Sequence, residues 1–146
     1  RSSDLDPRSS VIKDRINSAI KYREAYRPFA PAVLAERVAD IFDVAPSFRC
    51  PYMEKVVHIR DAWQKRLLGV THADGSGRVQ TVDRTTSPHF YDLIAEFEKI
   101  TGIPVLLNTS FNVNGEPIVL TPDDAVSTFF NSGIPYLVID GLLVEK

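Results

Sequence analysis

Apolar positions recur at helical spacing in only a few stretches of this chain; elsewhere they come as short runs cut by proline and glycine. Val11, Ile12, Ile16, Ala19 and Ile20 keep the step of an amphipathic helix, which predicts a helix over Val11–Arg23 with Ser10 as its cap. Arg27-Pro28-Phe29-Ala30-Pro31 is barred from a helix interior, because each proline lacks a donor and pushes its predecessor extended. It is expected to feed a strand at Ala32–Leu34, followed by a short helix over Ala35–Phe42. Pro46–Met53 reads as irregular, Val56–Ile59 as a short strand, and Asp61–Leu67 fits more than one element. Gly69–His72 and Arg78–Val82 read as two strands joined by the turn-rich Ala73-Asp74-Gly75-Ser76-Gly77.

The second half carries clearer signals. Pro88–Ile100 opens on a proline, stops at Gly102 and places Phe90, Leu93, Ile94, Phe97 and Ile100 on one stripe. Ile103–Leu107 is wholly apolar and reads as a central strand. Asn114-Gly115 signals a hairpin between Phe111–Val113 and Pro117–Leu120. Thr121-Pro122-Asp123-Asp124 caps a last helix reaching about Ser132, and Tyr136–Ile139 and Leu142–Val144 finish the sheet through Asp140-Gly141. Strands and helices are interleaved with hairpins among them, so the expected class is α+β or mixed α/β, a mixed sheet flanked by helices.

Composition narrows the function classes. With 146 residues and 44% hydrophobic positions, one domain with one sizeable core is expected, and wholesale disorder is excluded. Net charge is −2, which argues against nucleic acid as a partner of the whole surface. The lone Cys50 rules out an internal disulfide and a cysteine-cluster metal site, and suits a reduced, cytoplasmic protein. No apolar run approaches the about 20 residues of a membrane helix, so no membrane partner is expected.

Three polar patches stand beside apolar runs, where open sheets tend to place ligands. The first surrounds Lys21, Arg23 and Arg27, within a stretch of five cations against two anions from Lys13 to Pro31. Such cations could gather on a phosphate, although a solvated helix end is the simpler account of a short basic cluster taken alone. The second runs from Thr71 to Gln80, where Arg78 and Gln80 alternate onto one strand face and two glycines permit close backbone approach. A hairpin with a polar outer face explains the same letters, and Gly75-x-Gly77 with no helix behind it is no dinucleotide fingerprint. The third is Asn108-Thr109-Ser110-Phe111-Asn112, which suits phosphate or carboxylate oxygens and equally a self-capping turn.

Other candidates fall away. His58, His72 and His89 lack zinc-ligand spacing, so no protein metal site is expected. Cys50 has no evident base and reads as an idle thiol, Trp63 as a core or interface anchor. No nucleophile elbow and no Walker loop are present.

Two strings are specific: Thr71-His72-Ala73-Asp74-Gly75-Ser76-Gly77-Arg78-Val79-Gln80-Thr81-Val82, and Leu106-Leu107-Asn108-Thr109-Ser110-Phe111-Asn112 with Gly115-Glu116-Pro117-Ile118 after it. With Arg1-Ser2-Ser3, Asp6-Pro7-Arg8, Lys21–Pro31 and the ending Gly141–Lys146, the chain resembles the C-terminal domain of the O-carbamoyltransferases of nodulation-factor synthesis and antibiotic tailoring. That resemblance implies a YrdC-like twisted mixed sheet over 11–146, with 1–10 a linker remnant from an absent N-terminal, metal-binding Kae1-like domain. It also implies the reaction: ATP, brought with Mg²⁺ as substrate, and carbamoyl phosphate give carbamoyl-adenylate, which the other domain hands to a substrate hydroxyl. Related threonylcarbamoyl-adenylate synthases carry a Lys-x-Arg…Ser-x-Asn tetrad, matched here by Lys21, Arg23, Ser110 and Asn112.

On this reading Lys21, Arg23, Arg78 and Ser110 are the expected catalytic residues. Arg27, His72, Asn108 and Asn112 are the expected nucleotide- and carbamoyl-binding ones. The sequence departs from the family pattern in two places. It starts at Arg1, where the pattern continues upstream with a Gly-Pro-Arg-Ala-Leu-Gly type of stretch, and Cys50 stands where a serine precedes Pro-Tyr-Met. The fragment is therefore expected to fold without completing carbamoyl transfer alone. Two other classes compete: a non-catalytic nucleotide- or RNA-binding module of the same fold, and a purely structural domain whose Lys21, Arg78 and Ser110 would be scattered in space.

Overall fold

The computed structural model describes residues 6–18 and 29–146. The element order is α1 (Ser10–Ile16), β1 (Ala30–Leu34), a 3₁₀ turn (Ala35–Arg37) running into α2 (Val38–Ile41), β2 (Lys55–His58), α3 (Asp61–Gln64), β3 (Ser76–Val82), α4 (Pro88–Thr101), β4 (Val105–Asn108), α5 (Pro122–Phe130), β5 (Tyr136–Ile139) and β6 (Leu142–Glu145). The expected α+β class holds. Strands β2-β3-β1-β4 form one sheet in that order, with β1 parallel to β3 and antiparallel to β4.

Local chemistry accounts for most boundaries. Ser9 rather than Ser10 caps α1, its Oγ accepting from the Val11 N–H at 3.2 Å. The predicted continuation of α1 to Arg23 runs into residues outside those described. Gly102 ends α4 in the left-handed conformation with φ 70°, which glycine adopts without steric cost. Thr121 and Asp124 form a reciprocal capping box on α5.

Four expectations fail, each for a physical reason. Gly69–His72 is not a strand: Val70 and Thr71 both turn back onto the Leu67 carbonyl, while Gly69 N–H donates to the carbonyl of buried Pro7. The antiparallel partner of β3 is β2 instead, with Val56 opposite Arg78. No strands flank Asn114-Gly115, where Gly115 has φ 85° and a backbone bond from Val119 to Phe111 closes a loop. β4 lies at the sheet edge, not its centre, because its apolarity reports burial on two faces rather than rank in the sheet. Finally, β5 and β6 pair only with each other as a second, two-stranded sheet.

The four-stranded sheet separates two apolar clusters. One face carries Val33, Val79, Val105 and Leu107 into the main core with Phe42, Cys50, Ile59, Phe129 and Leu137. On the other, α4 lays Ile94 onto Leu34, Val82, Leu106 and Ala32, with Phe90 and Phe97 beside it. The buried stripe of α4 is narrower than predicted: Leu93 and Ile100 share its flank and are 46% and 83% exposed. Among the described residues no helix is long and apolar enough to cross a membrane.

Candidate functional site

Strand alternation builds the site. Ser76, Arg78 and Gln80 project to one face of β3, opposite to Gly77, Val79 and Thr81. The register places Ala32 beside Gln80 and Ala30 beside Asn108, so Ala30, Ala32 and Asn108 belong to the same face. It is the face on which α4 packs over Ala32, Leu34, Val82 and Leu106. The remainder holds a polar row, with Arg78 exposed, Gln80 half-buried and Asn108 buried at 6%. The predicted pairing of Arg78 with Gln80 on one side and Val79 on the other is therefore observed.

Across this row the side chains are joined. Asn108 Nδ2 donates to Gln80 Oε1 at 2.7 Å, and Gln80 Nε2 donates to the Pro51 carbonyl at 3.1 Å. The first bond spans β1, about 10 Å of sheet at about 4.8 Å per strand. It forms because β1 presents only Ala30 and Ala32 beneath it.

Arg78 carries the row's charge. Arg37 pairs with Asp40 and Glu98, Arg60 with Asp43 and Arg84 with Asp92, while Arg49 and Arg66 donate to main-chain carbonyls. Among the described residues Arg78 has no carboxylate partner; its Nη2 lies 3.9 Å from the Met53 sulfur. An exposed guanidinium without a carboxylate partner among the described residues can take an anion bidentately.

His72 sits at the other end of the row. Its Nδ1 lies 3.0 Å from Ser76 Oγ, and Ser76 gives its own proton to Asp74 Oδ1 at 2.6 Å. The histidine nitrogen must then be the donor, which fixes Nδ1 as protonated. The Ser76 hydroxyl, and after it the Ser76 backbone N–H, hold the Asp74 carboxyl below its ordinary range. Gly75 makes the turn possible, at φ 78°. Its replacement by alanine would meet the flexible end of Gln64, which can move, but the backbone strain remains. Gly75→Ala should therefore cost about 1–2 kcal/mol in urea unfolding. A neutral result would mean that the turn does not need its left-handed residue.

Beyond Asn108 the chain turns. Ser110 Oγ donates to Asn112 Oδ1 at 2.7 Å, and Asn112 Nδ2 donates to the Glu116 carbonyl at 2.8 Å. The self-capping account of this patch is thus partly observed, while Asn108 itself faces the polar row. Lys21, Arg23 and Arg27 lie outside the described residues. Cys50 is buried with its thiol pointed at the Val79 carbonyl, 3.3 Å away, and burial, followed by the Glu54 carboxylate, pushes that thiol up. Among the described residues no three histidine, cysteine or acidic groups cluster as a metal site would require.

The sequence did not single out Gln80 as the hub, nor Pro51 as its partner, Met53 beside Arg78 or Glu116 as the acceptor for Asn112. The alternation with Arg78 was visible; the contact with Asn108 depends on a register passing through β1.

The family described as carbamoyltransferase C-terminus matches residues 1–146. The chain belongs to that family. Nodulation protein NolO of Bradyrhizobium diazoefficiens is 46% identical over 147 residues, covering 100% of this chain and 27% of NolO. Nodulation protein NolNO of Sinorhizobium fredii is likewise 46% identical, over 100% of this chain and 22% of its own length. An uncharacterised protein of Synechocystis is 42% identical over 97% of this chain and 26% of its own. This carbamoyltransferase C-terminus thus spans about a quarter of the length of the relatives it matches.

Proposed function

We propose that this domain forms the carbamoyl-activating site of an ATP-dependent O-carbamoyltransferase. One observation carries the reading: exposed Arg78, without a carboxylate partner among the described residues, shares a sheet face with Gln80 and Asn108 in a member of the carbamoyltransferase C-terminus family.

The chemistry asks for what this row offers. Carbamoyl phosphate loses its phosphate to water and leaves carbamate. A carbamate oxygen then bonds to the α-phosphorus of ATP as the bond to the β-phosphate breaks, releasing pyrophosphate. Little of that demands a covalent role for the protein; it demands that several negative charges be neutralised and aligned. Arg78 would hold phosphate oxygens, joined by Lys21 and Arg23 from the basic segment, with Arg27 shaping the cluster. Ser110 and Asn112 would bound the carbamoyl end, and His72, fixed by Ser76, the far wall. Mg²⁺ would arrive with ATP. The carbamoyl-adenylate would pass to a Kae1-like domain in the same polypeptide, where a substrate hydroxyl takes the carbamoyl group, all within the cytoplasm.

The test is isotope exchange between pyrophosphate and ATP, measured on the intact protein with Mg²⁺. Exchange that requires carbamoyl phosphate is the expected result. Exchange that is absent, or indifferent to carbamoyl phosphate, would overturn the proposal.

A further inference from the structure

The segment that leads into β2 is looped out over the polar row. Lys55 stands opposite Val79, so a regular ladder would set Met53 opposite Thr81. Cys50 takes that place instead. Its carbonyl accepts from the Thr81 N–H at 2.9 Å, and its own N–H donates to Thr81 Oγ1 at 2.8 Å. Gln80 Nε2 pins the loop again at the Pro51 carbonyl. To rejoin β2 from there the backbone turns through Met53, which lies in the left-handed region at φ 59°. The other left-handed non-glycine among the described residues is Asp140, whose short polar side chain suits a turn; methionine has no such group to offset the steric cost. Strain of this kind persists where surrounding bonds over-determine it, and it collects at functional sites.

What the strain places is a thioether. Met53 is half-buried, and Arg78 Nη2 donates to its Sδ at 3.9 Å. Sulfur is a weak, uncharged acceptor, so it steers a guanidinium without neutralising it and leaves the fork's other N–H groups available. The loop does hold a carboxylate, Glu54, but that one accepts from the Tyr52 N–H at 3.0 Å and forms no ion pair with Arg78. We infer that Met53 is a positioning residue: its left-handed backbone sets a neutral sulfur against Arg78, aiming the guanidinium while keeping its full charge for an anion. The inference rests on the proposed carbamoyl-activating role, in which Arg78 holds phosphate oxygens.

The test is a double-mutant cycle in pyrophosphate exchange with the intact protein. Met53→Gly takes the same φ without strain and removes the sulfur. It should lower kcat/KM for carbamoyl phosphate about tenfold when Arg78 is present, within the range of couplings between residues in contact. In the Arg78→Ala background, where no guanidinium remains to be aimed, it should change kcat/KM by less than about twofold. Met53→Gln returns a neutral acceptor on an unbranched side chain and should recover exchange to within about threefold of wild type. A Met53→Gly loss that is equal in both backgrounds, the result that a merely structural role or poor folding would give, overturns the inference. So does Met53→Gly exchange equal to wild type, or Met53→Gln exchange no better than Met53→Gly. Each of these outcomes leaves the carbamoyl-activating role standing. Absence of carbamoyl-phosphate-dependent exchange in the wild type overturns both.

Discussion

Arg78→Ala should lower carbamoyl-phosphate-dependent pyrophosphate exchange by at least about 10²-fold, the scale on which removing one preorganised charge-stabilising donor acts. The side chain is exposed and has no carboxylate partner among the described residues, so the change should shift unfolding free energy by no more than about 0.5 kcal/mol. A large loss of exchange at constant stability is hard to obtain from a structural residue. Arg78→Lys sharpens the test. Lysine keeps the charge but not the two-pronged geometry, so it should recover part of the rate and no more. Exchange that is unchanged in Arg78→Ala would remove Arg78 from the site and, with it, the observation on which the functional proposal stands.

The second large effect is on stability. Leu107→Ala should destabilise the protein by about 2–5 kcal/mol, measured by urea unfolding. Leu107 is fully buried in the main core, and the neighbouring Leu106 is buried against α4, so β4 is gripped from both sides. The surroundings cannot collapse freely into the space left behind. A domain's whole stability is about 5–15 kcal/mol, so much of the population would unfold under mild denaturant. Ile100→Ala is the control: Ile100 is 83% exposed and its truncation should cost about 0.5 kcal/mol or less. A Leu107→Ala cost below about 1 kcal/mol would contradict the two-sided burial of β4.

These two residues illustrate what could be read before any coordinates were known. Alternation along Arg78-Val79-Gln80 and the apolar run before Asn108 report local periodicity, and both were legible. So were the punctuated helices at Pro88 and Thr121, where proline, glycine and capping side chains fix the ends. What was not legible depends on distance along the chain. The partner of β3 could not be inferred from the turn letters at Ala73–Gly77, because the turn that forms there is closed by His72 and Ser76 rather than by two strands. Nor could the sequence rank β4 in the sheet, since burial on both faces looks the same at an edge as at the centre. The candidate site was half visible: its residue types were, its hub was not. Gln80 meets Asn108 only because β1 lies between them with two alanines, a fact of register.

That register also orders events in time. The row needs β1, then a parallel neighbour from residues 76–82, then an antiparallel one from 105–108. A nascent chain on the ribosome therefore carries Arg78 and Gln80 well before Asn108 has been synthesised. Both pairings are remote in sequence, the kind that close late during folding. The polar row would be among the later features the growing polypeptide completes, so half-made chains would lack the site proposed above.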